Sequence, residues 1–405
     1  MWGTIMDYRI SENVKNVKPS AIREIFKFLS VPGLISFAAG NPSPESFPTE
    51  EMQKASNAVF QSSASAALQY GTTEGYAPLR DWVKNRLINK FSSFTENDEV
   101  IITTGGQQGI DLFSRVMLDA GDTVICESPS FIGALNAFRV CGANTVGVEM
   151  EEDGISVSGL ENALKNNKGA KFIYLIPTFH NPTGITTSLE KRKEIYRLAL
   201  KYGALILEDN PYGELRFAGE EIPTIKSFDT EGLVIYCSSF SKILSAGMRV
   251  GFVVAPEEVA AKMVVAKQSE DVHTNQFFQM LCYKFMTECD LDAHIAMIRE
   301  VYGRKCRLML ECLEKELPAS VTFTRPEGGL FIWVTLPDGV DATAFLKACM
   351  AQKLMIVPGA TFNCDVTEGS MSFRLNYSTP SYENMEEGMK RLGEAIKEYF
   401  AKKGI

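Results

Sequence analysis

Short apolar runs alternate with longer amphipathic stretches through the middle of the chain. The runs are "EVIITT" (99–104), "DTVICE" (122–127), "KFIYLIP" (171–177), "ALILED" (204–209), "GLVIYCSS" (232–239) and "VGFVVA" (250–255). Each is apolar at consecutive positions rather than at every second one, the mark of a strand covered on both faces. Between them lie helical patterns such as "SLEKRKEIYRLALKYG". This predicts an α/β fold with a mostly parallel sheet under helices, with ligands expected at the carboxyl ends of the strands. From about residue 290 the pattern changes to a long helical stretch, "AHIAMIREVYGRKCRLMLECLEKEL", then "GGLFIWVTL", a further helix, "MSFRLNYS" and a final helix. That order predicts a smaller α+β unit, and with no repeat or low-complexity linker the junction is expected in a helix.

The bulk numbers narrow the partners more than the fold. At 405 residues the chain exceeds the size at which one core usually stops growing, so two domains are expected. A net charge of −9, without any run of Lys or Arg, argues against nucleic acid and anionic lipid. The nine cysteines are scattered singly with no C-x-x-C pair, which reads as reduced thiols in a cytoplasmic protein. The start, "MWGTIMDYRISENV", has no basic segment followed by an apolar one, and no apolar run approaches the ~20 residues needed to cross a bilayer. His180, His273 and His294 are too few and too separated to suggest a metal site, so no metal is expected.

Unusual polar chemistry follows the strands. "EVIITT" runs into "GGQQGIDLF", "KFIYLIP" into "TFHNPTGI", "ALILED" into "NPYGEL", and "GLVIYCSS" into "FSKILSAGMRVG". A glycine-loosened turn opening a helix suits a phosphate, although alone it reads as an ordinary strand–helix connection. Asp209 closes an apolar strand, where a carboxylate is costly unless it meets a cation or donors; a helix cap or structural ion pair is the plainer reading. Tyr212 could simply pack, and Lys242 taken singly is a surface lysine. Beside Arg249, however, a desolvated lysine has a lowered pKa and becomes nucleophilic. Jointly, a lysine for a Schiff base, an aspartate for a pyridinium nitrogen, a tyrosine and an asparagine for a phenolate oxygen, and two serines with an arginine for a phosphate are what pyridoxal phosphate requires.

The motifs "NPTG", D-x-x-Y, S-x-S-K-x(6)-R and "FRL" occur here in the order found in fold-type I pyridoxal-phosphate aminotransferases of class I/II, which the chain resembles from about Pro19 to its C-terminus. The resemblance implies a large domain with a mostly parallel seven-stranded sheet (49–289), a smaller α+β domain (290–405), and an N-terminal segment with a lid helix (1–48) associated with the latter. It places Lys242 as the lysine bonded to the cofactor, Asp209 on the ring nitrogen, and Tyr212 and Asn181 on the phenolate oxygen. Gly106, Gln107, Ser239, Ser241 and Arg249 fall on the phosphate cup and Phe131 on the stacking aromatic. Arg374 falls on the α-carboxylate, with Asn181 assisting and Gly40 also on the substrate side. Tyr70 matches a tyrosine that reaches the phosphate of the neighbouring subunit, which implies a homodimer with shared sites. Gly106 stands where many relatives have serine and Phe131 where tyrosine is common, which costs a hydroxyl at each position.

The local stretches "SAIREIFKFLSVPGLISFAAGNPSPESFP" and "QYGTTEGYAPLR" are most similar to the 2-aminoadipate (kynurenine/α-aminoadipate) aminotransferase subgroup. There an arginine matching Arg23, on a helix over the active site, can pair with a substrate side-chain carboxylate; without the resemblance Arg23 reads as a solvated charge. The implied activity is ping-pong amino transfer between an L-amino acid and a 2-oxo acid, with glutamate and 2-oxoglutarate paired with 2-aminoadipate, aromatic or branched-chain partners. Two rivals share the pattern: a lyase or decarboxylase on the same cofactor, and a cofactor-binding regulator. The asparagine of "NPTG" beside Arg374 favours holding the carboxylate in place, and a regulator needs an additional basic domain.

Overall fold

The computed structural model describes residues 8–15, 17 and 32–404. Its centre is an eight-stranded sheet. The strands are β1 (Asp98–Thr103), β2 (Thr123–Ser128), β3 (Asn144–Glu151), β4 (Gly154–Ile155), β5 (Phe172–Leu175), β6 (Leu205–Asp209), β7 (Val234–Ser239) and β8 (Gly251–Pro256), in the spatial order β1-β8-β7-β6-β5-β2-β3-β4. Strands β3, β2, β5, β6 and β7 pair in parallel, and the two-residue β4 adds only a short antiparallel turn-back on β3, which brings the count to eight where the resemblance implies seven. The apolar runs are buried as their patterns predict: β5 and β7 are buried at every residue, and β6 is partly exposed only at its first. Helices α1 (Gly106–Met117), α2 (Ile132–Val140) and α3 (Glu257–Glu270) are among those that cover the sheet.

Two features depart from the sequence reading. Strand β3 is absent from it, because only Val148 of "NTVGVEME" is buried and the segment lacks a continuous apolar run. Strand β8 runs antiparallel to both neighbours, β1 and β7. Its pattern resembles that of the parallel strands because it too is covered on both faces, and burial, not direction, sets the pattern.

Beyond β8 the chain forms the long helix α4 (Leu291–Glu316), which packs along α5 (Tyr382–Lys403). A second sheet is wholly antiparallel, with β9 (Thr322–Phe323), β10 (Phe331–Thr335), β11 (Val357–Pro358) and β12 (Ser372–Asn376) in the order β9-β10-β12-β11. This is the α+β unit the pattern predicts. Ile35–Ser36 pair in parallel with Leu354–Met355, between α4 and α5 in the chain.

Candidate active site

The carboxyl ends of the parallel strands of the large sheet collect the chemistry. Gly106 and Gln107 follow β1, Phe131 follows β2, Asn181 follows β5, Asp209 ends β6, and Ser239, Ser241 and Lys242 end or follow β7. Arg249 joins them because β8 is reversed, so its start lies where the other strands end. From the second sheet come Phe331 and Arg374. With Gly40 these side chains and backbones line a single cavity of about 330 Å³.

The cavity has three chemically distinct regions. In the first, the Lys242 amine donates to the Gly40 carbonyl at 2.8 Å and lies 5.8 Å from the centre of the Tyr212 ring. Burial lowers its pKa to about 8, and the Arg374 and Arg249 guanidinium groups push the same way. A Schiff-base nucleophile needs that neutral form. In cofactor-free protein an amine-directed acylating reagent should therefore modify Lys242 with a midpoint near pH 8, against the usual lysine value near 10.5. A midpoint above about 10 would show that the amine is not desolvated. Asp209 is buried deeper, and burial raises its carboxyl to about 7; Tyr174, donating from its hydroxyl to Oδ2 at 2.8 Å, and Lys242 act in the opposite sense. Burial likewise pushes the Tyr212 phenol up, against Arg374 and a hydrogen bond with Asn181.

The second region is built for an anion. Helix α1 opens at Gly105, which caps it with no side-chain hydrogen bond, leaving the first N–H groups of the helix pointing outward. Gly105 has φ +76°, and a Cβ there would fall 2.2 Å from Nη2 of Arg249, so the turn cannot carry a side chain without displacing that guanidinium. Ser239 donates to Ser241 Oγ at 2.7 Å, and Arg249 Nη1 approaches Ser241 Oγ at 3.5 Å and the Ala246 carbonyl at 3.2 Å. Arg249 itself sits at φ +55°, a conformation that costs a non-glycine residue about 1 kcal/mol or more. Gly251 permits the close approach of β8, since a Cβ there would meet the Gly105 carbonyl carbon at 2.7 Å.

The third region is a planar cation. Arg374, fully buried on β12, donates from Nη1 to Asn181 Oδ1 at 2.8 Å and from Nη2 to the Ala38 carbonyl at 2.8 Å. Its Nε has no partner among the described residues. Phe331 and Phe362 lie 4.2 and 5.0 Å from the guanidinium, and burial lowers its pKa to about 10, so it stays charged at neutral pH.

Most of the residues singled out from the sequence thus meet in one place. Gln107 reaches outward and donates to the Gly133 carbonyl at 2.9 Å, although it still borders the cavity. Tyr70 is not part of the cavity: it is 80% exposed, with its ring edge-on to His273. Arg23 lies outside the described residues. Sequence reasoning missed Tyr174 and the two phenylalanines that sandwich Arg374. A tyrosine inside "KFIYLIP" does signal a buried hydroxyl seeking a partner, but nothing local to Phe331 or Phe362 announces a distant arginine.

Residues 32–392 match the family described as aminotransferase class I and II. The chain is 40% identical over 409 residues to an aromatic-amino-acid aminotransferase of Thermococcus litoralis, covering 98% of this chain and 96% of that one. A multiple substrate aminotransferase from Thermococcus profundus superposes with a TM-score of 0.93 at 38% identity, covering 97% and 98% of the two chains. An α-aminoadipate aminotransferase from Thermus thermophilus, solved with N-(5′-phosphopyridoxyl)-L-leucine, does so at 0.89 and 38%, again over 97% and 98%. Fold and site therefore define a group-transfer enzyme of the α/β class. The chain belongs to the class I and II aminotransferases, and its activity is amino transfer.

Proposed function

We propose that the cavity holds pyridoxal 5′-phosphate and that the enzyme moves amino groups between an L-amino acid and a 2-oxo acid in two half-reactions. The residues present fit that cofactor: an uncapped helix start, two hydroxyls and an arginine for the phosphate, a buried carboxyl for the ring nitrogen, a phenol and an amide for the phenolate oxygen, and a lysine of lowered pKa for the aldehyde. Bound there, the cofactor supplies an electron-accepting ring that carries the amino group from one substrate to the next. With the cofactor bound, Lys242 would be the group that takes the proton from the substrate α-carbon. Asp209, its carboxyl oriented by the Tyr174 hydroxyl, would face the ring nitrogen and favour its protonated form. Phe131, which lines the cavity, would supply an aromatic face for the ring. Arg374 takes the substrate α-carboxylate, and its unpartnered, buried Nε beside the cavity is the observation that carries this reading. With Asn181 holding Nη1, the carboxylate stays in place during proton transfer, which favours amino transfer over decarboxylation.

The substrate range follows from the same reading: glutamate and 2-oxoglutarate as one pair, with 2-aminoadipate, aromatic or branched-chain substrates as the other. Relatives described for aromatic amino acids and for α-aminoadipate support it. Residues 49–289 would carry the cofactor, while 290–405 with 1–48 would close over the substrate. Tyr70, exposed in a single chain, would complete the phosphate site of a second copy in a cytoplasmic homodimer. A single-turnover panel of amino acids, identifying each oxo-acid product, tests the range. Arg23→Gln should weaken glutamate, 2-aminoadipate and 2-oxoglutarate by about 1.5–3 kcal/mol in kcat/KM, leaving leucine and phenylalanine nearly unchanged. An equal loss for both classes would remove Arg23 from side-chain recognition.

A further inference from the structure

Behind the anion-binding turn, outside the cavity, lies an ion pair between a buried lysine and a partly exposed aspartate that the mechanism above does not use. Lys267, in the last turn of α3, is fully enclosed and donates from Nζ to Gln108 Oε1 at 2.6 Å and to Asp271 Oδ1 and Oδ2 at 2.8 and 3.0 Å. Gln108 Oε1 also accepts from the Thr104 N–H at 2.7 Å, and Gln108 Nε2 donates to Asp271 Oδ2 at 2.7 Å. The Thr104 hydroxyl donates to the same Oδ2 at 2.7 Å. Thr104 is thereby gripped at both its backbone and its side chain, two residues before the start of α1, while its carbonyl faces Nη2 of Arg249 at 3.4 Å. Burial works against both charges, yet the hydrogen bonds from Lys267, Thr104 and Gln108 hold the Asp271 carboxyl below its usual range.

We propose that Lys267 and Asp271 are positioning residues for the phosphate end of the cofactor site, setting the Thr104–Gly106 turn and the Arg249 guanidinium from behind. The inference rests on the reading of the cavity as a pyridoxal-phosphate site. A turn whose outward N–H groups must converge on one anion gains from being held rigid, because ordering it at the moment of binding would cost affinity. The geometry shows that the holding is local: the Asp271 carboxylate draws Lys267, Gln108 and Thr104 to one point. The chain then passes through Val272 at φ +66°, a strained conformation for a β-branched residue that persists only where its surroundings impose it. Two residues after Asp271, His273 Nε2 accepts from Gly71 N–H at 3.3 Å, so the same segment also touches the loop that carries Tyr70.

The test compares two ligands on cofactor-free protein, pyridoxal phosphate and pyridoxal, which lacks the phosphate. Dissociation constants are read from the absorbance change on binding. Asp271→Asn should weaken pyridoxal phosphate by about tenfold or more while leaving pyridoxal within about twofold, since the lost contacts act only on the phosphate turn. Lys267→Met should do the same. Should either variant fail to fold, Thr104→Val removes one donor to Asp271 at near-constant volume and should show the same selectivity at smaller size. Equal weakening of both ligands, or no weakening of either, overturns the positioning role. Wild-type protein that does not bind pyridoxal phosphate at all overturns the underlying assignment instead, and the two failures are distinguishable.

Discussion

Lys242→Ala is expected to fold and to take up pyridoxal phosphate without a covalent bond, and to lose turnover by on the order of 10⁴-fold, because the attachment point and the proton carrier leave together. Truncation leaves the Gly40 carbonyl without the amine that donates to it at 2.8 Å, but it also removes a desolvated amine whose pKa burial lowers, so little net stability depends on the contact. Circular dichroism and the melting temperature should therefore match wild type while the absorbance of the bound cofactor shifts to that of the free aldehyde. A small added amine should restore part of the proton transfer. Near-wild-type turnover in a verified Lys242→Ala sample would remove Lys242 from the chemistry.

Asp209→Asn is expected to lower turnover by about 10²–10³-fold, the scale of one preorganised charge acting on the reacting system, with a substrate α-deuterium isotope effect that grows as the proton step becomes limiting. Its effect on stability should have the opposite sense. The folded-state carboxyl of Asp209 titrates near 7, above its ordinary value of 3.8, so the folded cofactor-free protein holds a proton that the unfolded chain has lost. That contribution is fully present below about pH 4 and disappears as the pH rises through 7. Cofactor-free wild type should accordingly fall in stability relative to Asp209→Asn between those limits, as read from urea midpoints. Bound cofactor should cancel the difference by giving the carboxylate a cation. An unchanged rate and isotope effect would reduce Asp209 to a structural carboxylate.

What is legible in the sequence is mainly what a single strand and its following loop can encode. Asp209 and Lys242 stand out because an apolar run delivers each of them to the turn at the carboxyl end of a strand, and Arg249 because its spacing from Lys242 is short. Arg374 could be placed only by resemblance, since no local pattern distinguishes an arginine inside "SFRLN" from one on an exposed strand; only the packed structure shows it enclosed between Phe331 and Phe362. The direction of β8 is illegible for a similar reason, as an apolar run does not record which way its neighbours point. Nothing local in "AAKMVVAKQSE" marks Lys267, whose enclosure shows only in the fold, where Gln108 and Asp271 accept from its amine.

The reversed strand also governs the order in which the protein can be made. Among the described strands β1 is hydrogen-bonded within the sheet to β8 alone, and Thr103 meets its partner Gly251 about 150 residues further along the chain. A ribosome adding roughly 5–20 residues per second would leave "DEVIIT" as an unpaired apolar edge for on the order of ten seconds. During that interval β2, β3, β5 and β6 can pair among themselves, but the helix start that follows β1 has no fixed place. A nascent chain halted before Gly251 would lack Arg249's neighbouring strand altogether, so cofactor capture must be a late event in synthesis, and the exposed edge is the segment a chaperone has most reason to cover.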